Sequence, residues 1–110
     1  MAAKFVLKKT SNGQFMFNLH AANNEVILTS ESYVAKQGAE NGIASVRKNA
    51  PNDSQYRRET ATNGQLYFVL AAENHEVIGR SEMYSSTAGL ENGIASVKAN
   101  APAAAISDET

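Results

Sequence analysis

The residues of this 110-residue chain that could do acid–base or ligand chemistry are mainly glutamates and tyrosines, and most of them occur twice. The pairs recur 51 positions apart and are Glu25/Glu76, Glu31/Glu82, Glu40/Glu91 and Tyr33/Tyr84. If two carboxyl groups of a pair met, one could act as an acid and the other as a base. We favour the alternative interpretation, in which they bond to turns and helix ends and keep the surface polar.

Two Ser-Glu-x-Tyr segments supply the candidate binding residues. Each segment lies between the third predicted strand of its copy and the predicted helix, and junction loops of this kind often carry function. A tyrosine at such a place usually packs its ring over the edge of the core and points its hydroxyl to water. The functional hypothesis is a ligand pocket rimmed, in the two copies, by Glu31, Tyr33, Glu82 and Tyr84.

Other chemistry finds little support. The chain has no cysteine, which excludes disulfides, thiolate catalysis and cysteine-ligated metals. The two histidines, His20 and His75, are not equivalent positions of the two copies, and one histidine is an incomplete zinc ligand set. No phosphate-binding loop or nucleophile elbow occurs. We therefore predict no catalytic residue, no metal and no cofactor.

Charge and hydropathy limit the partners and the compartment. Ten basic residues nearly balance eleven acidic ones, giving a net charge of −1. This balance argues against nucleic acid as a partner, since nucleic-acid binding needs a basic footprint, although Arg57 and Arg58 could form a local strip. The first residues do not resemble a signal peptide, and no segment approaches the roughly 20 apolar residues that cross a bilayer. A cytoplasmic protein is expected, with no membrane contact.

The strongest signal is an internal repeat. Residues 12–51 align without a gap on residues 63–102, and about 24 of the 40 pairs are identical. Two copies are too few for a solenoid, so we expect a pseudo-two-fold arrangement around one shared core. The prediction is a single domain over 1–110, with repeat one at about 4–54 and repeat two at about 55–107. A monomer is expected, because the repeat replaces a homodimer.

Each copy predicts three strands followed by one helix. The Asn-Gly pairs at Asn12 and Asn63 indicate tight hairpin turns of type I′, and Asn24 and His75 lie in a second turn. Apolar residues then change to helical spacing, which predicts helices whose apolar stripes cover the sheet. Those stripes are Ala39, Ile43, Val46 and Ala50 in copy one, and Leu90, Ile94, Val97 and Ala101 in copy two.

Gly42 and Gly93 are unusual, because glycine inside a helix costs about 1 kcal/mol relative to alanine. Gly38, Gly42, Ser45 and Asn49 form a line of small residues, as do their equivalents in copy two. We favour close packing, of helix on sheet or of helix on helix, as the reason. The alternative is a shallow groove for a peptide or small ligand.

At these residues the chain closely resembles the YegP-like family of small bacterial proteins. The resemblance rests on the pattern NGQF.F.L.A.N.E.I..SE.Y followed by ENGIASV.KNAP, and it covers nearly the whole chain. It implies an α+β fold of two β-β-β-α(-β) repeats, with one antiparallel sheet, two helices packed on it and terminal strands exchanged between the repeats. On that model residues 55–60 close the first unit while opening the second, and residues 105–107 form the exchanged last strand. The family implies no activity and no catalytic positions.

The sequence thus favours a non-enzymatic binding or protein-interaction module, whose partner is an unspecified protein or small ligand. The alternative is a small-ligand-binding protein or an enzyme, with a site formed at the pseudo-dyad by the repeated carboxylates.

Overall fold

The structure is a computed structural model, and it describes residues 2–110. The described strands and helices are β1 (Lys4–Lys9), β2 (Phe15–His20), β3 (Val26–Ser30), α1 (Lys36–Asn49), β4 (Tyr56–Thr60), β5 (Leu66–Ala71), β6 (Val77–Arg80), α2 (Thr87–Asn100) and β7 (Ala105–Asp108). Short 3-10 turns at Asp53–Gln55 and Ala101–Ala103 follow the helices. The strands form one sheet in the order β4-β5-β6-β3-β2-β1-β7.

The two repeats meet at the centre of the sheet, where β3 and β6 pair antiparallel. Thr29 lies opposite Arg80, and Ser30 lies opposite Gly79. Because Thr29 and Arg80 are equivalent positions of the two copies, the pseudo-two-fold axis passes between them. The copies therefore contribute to one continuous sheet, as the predicted α+β fold requires.

The terminal strands are exchanged in one direction. The last strand, β7, leaves repeat two and pairs with β1 of repeat one, in parallel register from Lys4↔Ala105 to Leu7↔Asp108. In contrast, β4 pairs only with β5 and forms the opposite edge, so residues 55–60 do not also close the first unit. Residues 54–57 are the repeat equivalents of β7, and they already form the end of the 3-10 turn and the start of β4, so no separate closing strand remains for the first unit. The edge position fits the charges at Arg57 and Arg58, since charged edges discourage aggregation.

One apolar core lies between the helices and a single face of the sheet. The predicted stripe of α1 is fully buried, with Ala39, Ile43, Val46 and Ala50 at 0 % exposure, and the stripe of α2 is buried as well. Alternate strand residues, including Phe5, Phe17 and Phe68, meet these stripes. Each helix has 14 residues, and neither of the helices within residues 2–110 is long and apolar enough to cross a membrane.

The hairpin turns lie where the Asn-Gly pairs predict them, but they are not of type I′. Only the glycines have positive φ, 83° at Gly13 and 84° at Gly64, whereas type I′ needs positive φ at both central residues. The bonds from the Gly13 and Thr10 amides fit a type I turn followed by a left-handed glycine. In the second turn Asn24 is left-handed as expected, and His75 takes the equivalent conformation, both with φ of 70°.

Candidate binding cleft

The serine of each Ser-Glu-x-Tyr segment fixes the chain as it leaves the sheet. Ser30 Oγ accepts a hydrogen bond from the Phe17 amide at 2.9 Å and donates one to the Glu31 carbonyl at 2.7 Å. Ser81 makes the two equivalent bonds in the second copy. These local bonds hold the backbone from which the next glutamate and tyrosine project.

The tyrosine of each segment lies flat between the sheet and the helix. The backbone of Tyr33 exchanges two hydrogen bonds of 2.7 Å with Phe15, and its ring stacks on Phe17 at 6.4 Å between centroids and 10° between planes. Tyr84 repeats the arrangement on Phe68, at 6.4 Å and 12°. Stacking of this kind fixes the plane of each half-buried ring.

The helix glycines make room for these rings. A Cβ atom at Gly42 would lie 2.5 Å from the Tyr33 hydroxyl oxygen and 2.9 Å from the Phe17 ring, and one at Gly93 would overlap the Tyr84 hydroxyl. The favoured explanation, close packing, is therefore correct, but the main partner is the junction tyrosine rather than the other helix. Three of the four small residues, Gly38, Gly42 and Ser45, also line a cleft, whereas Asn49 is buried outside it.

The cleft is a half-open depression of about 270 Å³ at the boundary between the repeats. Helix α1 and the first Ser-Glu-x-Tyr segment form one side of the cleft. The turn between β5 and β6, together with β6 itself, forms the other side. The lining residues are Glu31, Tyr33, Gly38, Asn41, Gly42, Ser45, Ala72, Asn74, Glu76, Val77 and Ile78. No lining residue has its repeat equivalent in the same cleft, so this site is off the pseudo-dyad and not at it.

Two carboxylates from different repeats face the tyrosine of this cleft. Partial burial raises the pKa of Tyr33, and the negative charges of Glu31 and Glu76 raise that pKa further. The phenol is therefore a neutral hydrogen-bond donor near pH 7, beside two carboxylates. No lysine or arginine lines the cleft, so no lining residue neutralises the negative charges of Glu31 and Glu76.

The second copy contains an equivalent group, formed by Tyr84, Glu82 and Glu25. Burial, followed by the charges of Glu82 and Glu25, raises the pKa of Tyr84. The predicted binding residues thus lie in two separate groups, one with Glu31 and Tyr33 and one with Glu82 and Tyr84. The two members of a carboxylate pair do not meet. Instead, the antiparallel pairing of β3 and β6 brings Glu76 to Tyr33 and Glu25 to Tyr84.

The remaining candidate residues lie elsewhere. Glu91 is held by the Arg58 guanidinium through bonds of 2.6 and 2.9 Å, and the hydrogen bonds from Arg58 lower the pKa of Glu91. Its equivalent, Glu40, is exposed on α1 outside the cleft. His20 bonds only to the backbone of a nearby turn, and His75 is exposed. Within residues 2–110 no three His, Asp or Glu side chains come together as a metal-binding group.

The two copies are identical at every residue that lines the cleft. All 11 lining residues match their repeat equivalents, whereas 13 of the other 29 aligned pairs do. Packing explains the match at glycine and tyrosine, but not at three exposed polar residues, Glu31, Asn41 and Glu76. Asn41 accepts a hydrogen bond from Gln37. This bond does not explain why both copies have asparagine here, because the residue equivalent to Gln37 in the second copy is Ala88. Identity at exposed polar positions is the signal that could have added Asn41 to the predicted site.

Comparison with known proteins agrees with the fold and its repeat. A family model described as "Domain of unknown function (DUF1508)" matches twice, at residues 10–56 and 61–108. The architecture is thus that of a tandem-repeat α+β protein, with one DUF1508 unit in each repeat.

The chain belongs to the DUF1508 family and, within it, to the UPF0339 (YegP) group, as the sequence resemblance indicated. It is 58 % identical over 110 residues to a UPF0339 protein of Bordetella pertussis, covering 100 % of this chain and 98 % of that one. It is 52 % identical to the UPF0339 protein YegP of Escherichia coli K12, with both chains covered completely. The solution NMR structure of E. coli YegP, a protein of unknown function, superposes with a TM-score of 0.94 over 100 % of this chain and 95 % of that one, at 52 % identity.

Proposed function

We propose that the protein is a non-enzymatic interaction module of the bacterial cytoplasm, and that its cleft and the equivalent residues of the second copy each receive a lysine or arginine side chain of a partner protein. The observation that carries the proposal is the identity of the cleft lining in both copies. Duplicated segments diverge where nothing restrains them, and folding does not restrain Glu31, Asn41 and Glu76. A shared binding task accounts for their retention.

Charge and size support a cationic side chain as the occupant. Glu31 and Glu76 offer two carboxylates, and Tyr33 and Asn41 add neutral polar groups beside them. Charge-assisted hydrogen bonds from an ammonium or guanidinium group are the strongest that such a lining can make. The volume of about 270 Å³ falls just below the 300–1,000 Å³ typical of small-molecule sites and suits one long side chain.

Exposed apolar residues beside the two Ser-Glu-x-Tyr segments support a protein as the partner. Val34, next to Tyr33, is 83 % exposed, and Met83, next to Tyr84, is 47 % exposed. Each junction therefore offers an apolar contact beside charged groups, and protein interfaces combine an apolar core with a polar rim. The raised pKa of Tyr33 also argues against this tyrosine as a base or nucleophile, because either role needs a pKa near or below the working pH.

The test is an NMR titration of the full chain with a pentapeptide that has a central arginine between leucines. We expect shifts at Tyr33 and Tyr84, and we expect E31Q/E76Q to weaken the response at Tyr33 about tenfold while the Tyr84 response persists. E73Q is the matched control, because Glu73 is exposed on the same turn as Glu76 but outside the cleft. Equal losses in E73Q and E31Q/E76Q would refute the site.

Methylguanidinium separates a protein partner from a small ligand. We expect methylguanidinium to bind more weakly than the peptide. V34S, which installs the serine found at the equivalent position 85, should reduce the difference in affinity between the two. If methylguanidinium binds as tightly as the peptide and V34S changes neither, the module is a small-ligand-binding protein instead.

A further inference from the structure

The face of the sheet away from the helices is uncovered by any described element. Strand alternation and register place Val6, Asn18, Thr29, Arg80, Val69 and Arg57 in one row across this open face. Val6 and Val69 do not belong to the core cluster, yet they are only 6 % and 5 % exposed. Longer neighbouring side chains therefore lie over them, which leaves a polar surface without an exposed apolar anchor.

This open face is basic although the chain is slightly acidic. Lys4, Lys8, Arg57 and Arg80 project from it. Its acidic residues are Glu59 and Glu109, the latter bonded to Ser107 opposite Val6, so its formal charge is +2. The rest of the chain carries six basic and nine acidic residues, a charge of −3. The net charge of −1 that argued against nucleic acid thus averages two oppositely charged sides.

The four cations also lack ion-pair partners. The salt bridges among the described residues involve Lys36, Arg58 and Lys98, none of which lies on the open face. Arg57 and Arg80 flank Val69 from the two neighbouring strands, about 10 Å apart at the usual strand spacing. Two unpaired guanidinium groups at this separation repel each other, and an anion between them relieves the repulsion.

We propose that the open face binds single-stranded nucleic acid, with Lys4, Lys8, Arg57 and Arg80 contacting phosphates and Tyr67 stacking on a base. Tyr67 lies on β5 as a half-buried ring, diagonal to Arg57 across the β4/β5 ladder. Aromatic rings on an open sheet among basic residues are a common platform for single strands. The cations span β1 to β4, about 24 Å across five strand spacings, which suits an extended strand.

The test is fluorescence anisotropy of a labelled 12-nucleotide oligothymidylate with the full chain, from low to physiological salt. Four phosphate contacts predict a slope of about −3 for log K against log salt, and R57Q/R80Q should roughly halve it. K48Q is the matched control, because Lys48 is an exposed cation on α1. Y67A should weaken binding while leaving the slope unchanged, since stacking releases no counterions.

Several outcomes would overturn the proposal. They are absence of binding at low salt, an effect of K48Q equal to that of one open-face substitution, and equal binding of polyglutamate or polyphosphate with no effect of Y67A. The last result would assign the face to an acidic protein or a simple polyanion. E31Q/E76Q should not change oligonucleotide binding, so failure here leaves the cleft proposal intact.

Discussion

Replacing Gly42 with alanine tests whether glycine is needed at this helix position to leave room for the Tyr33 ring. The substitution removes a helix-interior glycine, which by itself should stabilise the protein by about 1 kcal/mol. The new Cβ, however, would lie 2.5 Å from the Tyr33 hydroxyl oxygen and 2.9 Å from both Tyr33 Cζ and the Phe17 ring. Overpacking of this kind costs about 1–3 kcal/mol. We expect Gly42→Ala to destabilise the protein by about 1 kcal/mol net.

Urea unfolding followed by circular dichroism measures this difference, with an unchanged m value as the check on two-state behaviour. Ala44→Gly is the matched control, because Ala44 is exposed in the same helix and should cost about 1 kcal/mol through propensity alone. Tyr33→Phe combined with Gly42→Ala should recover part of the loss, since the hydroxyl contact disappears but the ring contacts remain. If Gly42→Ala stabilises the protein by as much as Ala44→Gly destabilises it, the tyrosine is not why glycine is needed.

Three further predictions concern other parts of the fold. Gly79→Ala should cost about 2 kcal/mol in the same unfolding assay, because its Cβ would lie 2.8 Å from the backbone oxygen of Thr29, which cannot move without breaking the central ladder; a neutral result would mean that the pseudo-dyad is loosely packed. His75→Asn should raise the melting temperature by an amount matching a few tenths of a kcal/mol, because asparagine tolerates the left-handed φ of 70° better than histidine, and a lower melting temperature would contradict this. The hydrogen bond from Lys36 lowers the pKa of Asp108. The stability that this ion pair gives β7 is therefore present above the ordinary aspartate pKa of about 3.9 and is lost as the pH falls towards the lowered value. Amide exchange in β7 should accelerate over that pH range in the native protein but not in Asp108→Asn.

Local sequence patterns determined most of the secondary structure of this protein. The 51-residue offset, the turn residues and the helical stripes at Ile43 and Ile94 act over a few positions, so they can be recognised without coordinates. The predicted turn type was wrong, because Asn-Gly is compatible with either a type I′ turn or a type I turn followed by a left-handed glycine. The choice between them depends on how the flanking strands pair. The exchange of terminal strands entered only through the family resemblance, and its direction depended on which sheet edge each strand can reach.

The candidate cleft shows the same division. The sequence alone selected Glu31 and Tyr33 and their equivalents, because a repeated Ser-Glu-x-Tyr segment at a strand–helix junction is visible as a pattern. Only the tertiary structure brought Glu76 to Tyr33, since the two belong to different repeats and meet through the antiparallel pairing of β3 and β6. The charge of the open sheet face was hidden for the same reason. Strand register decides which side chains share a surface, and register is a property of long-range pairing that composition and spacing do not contain.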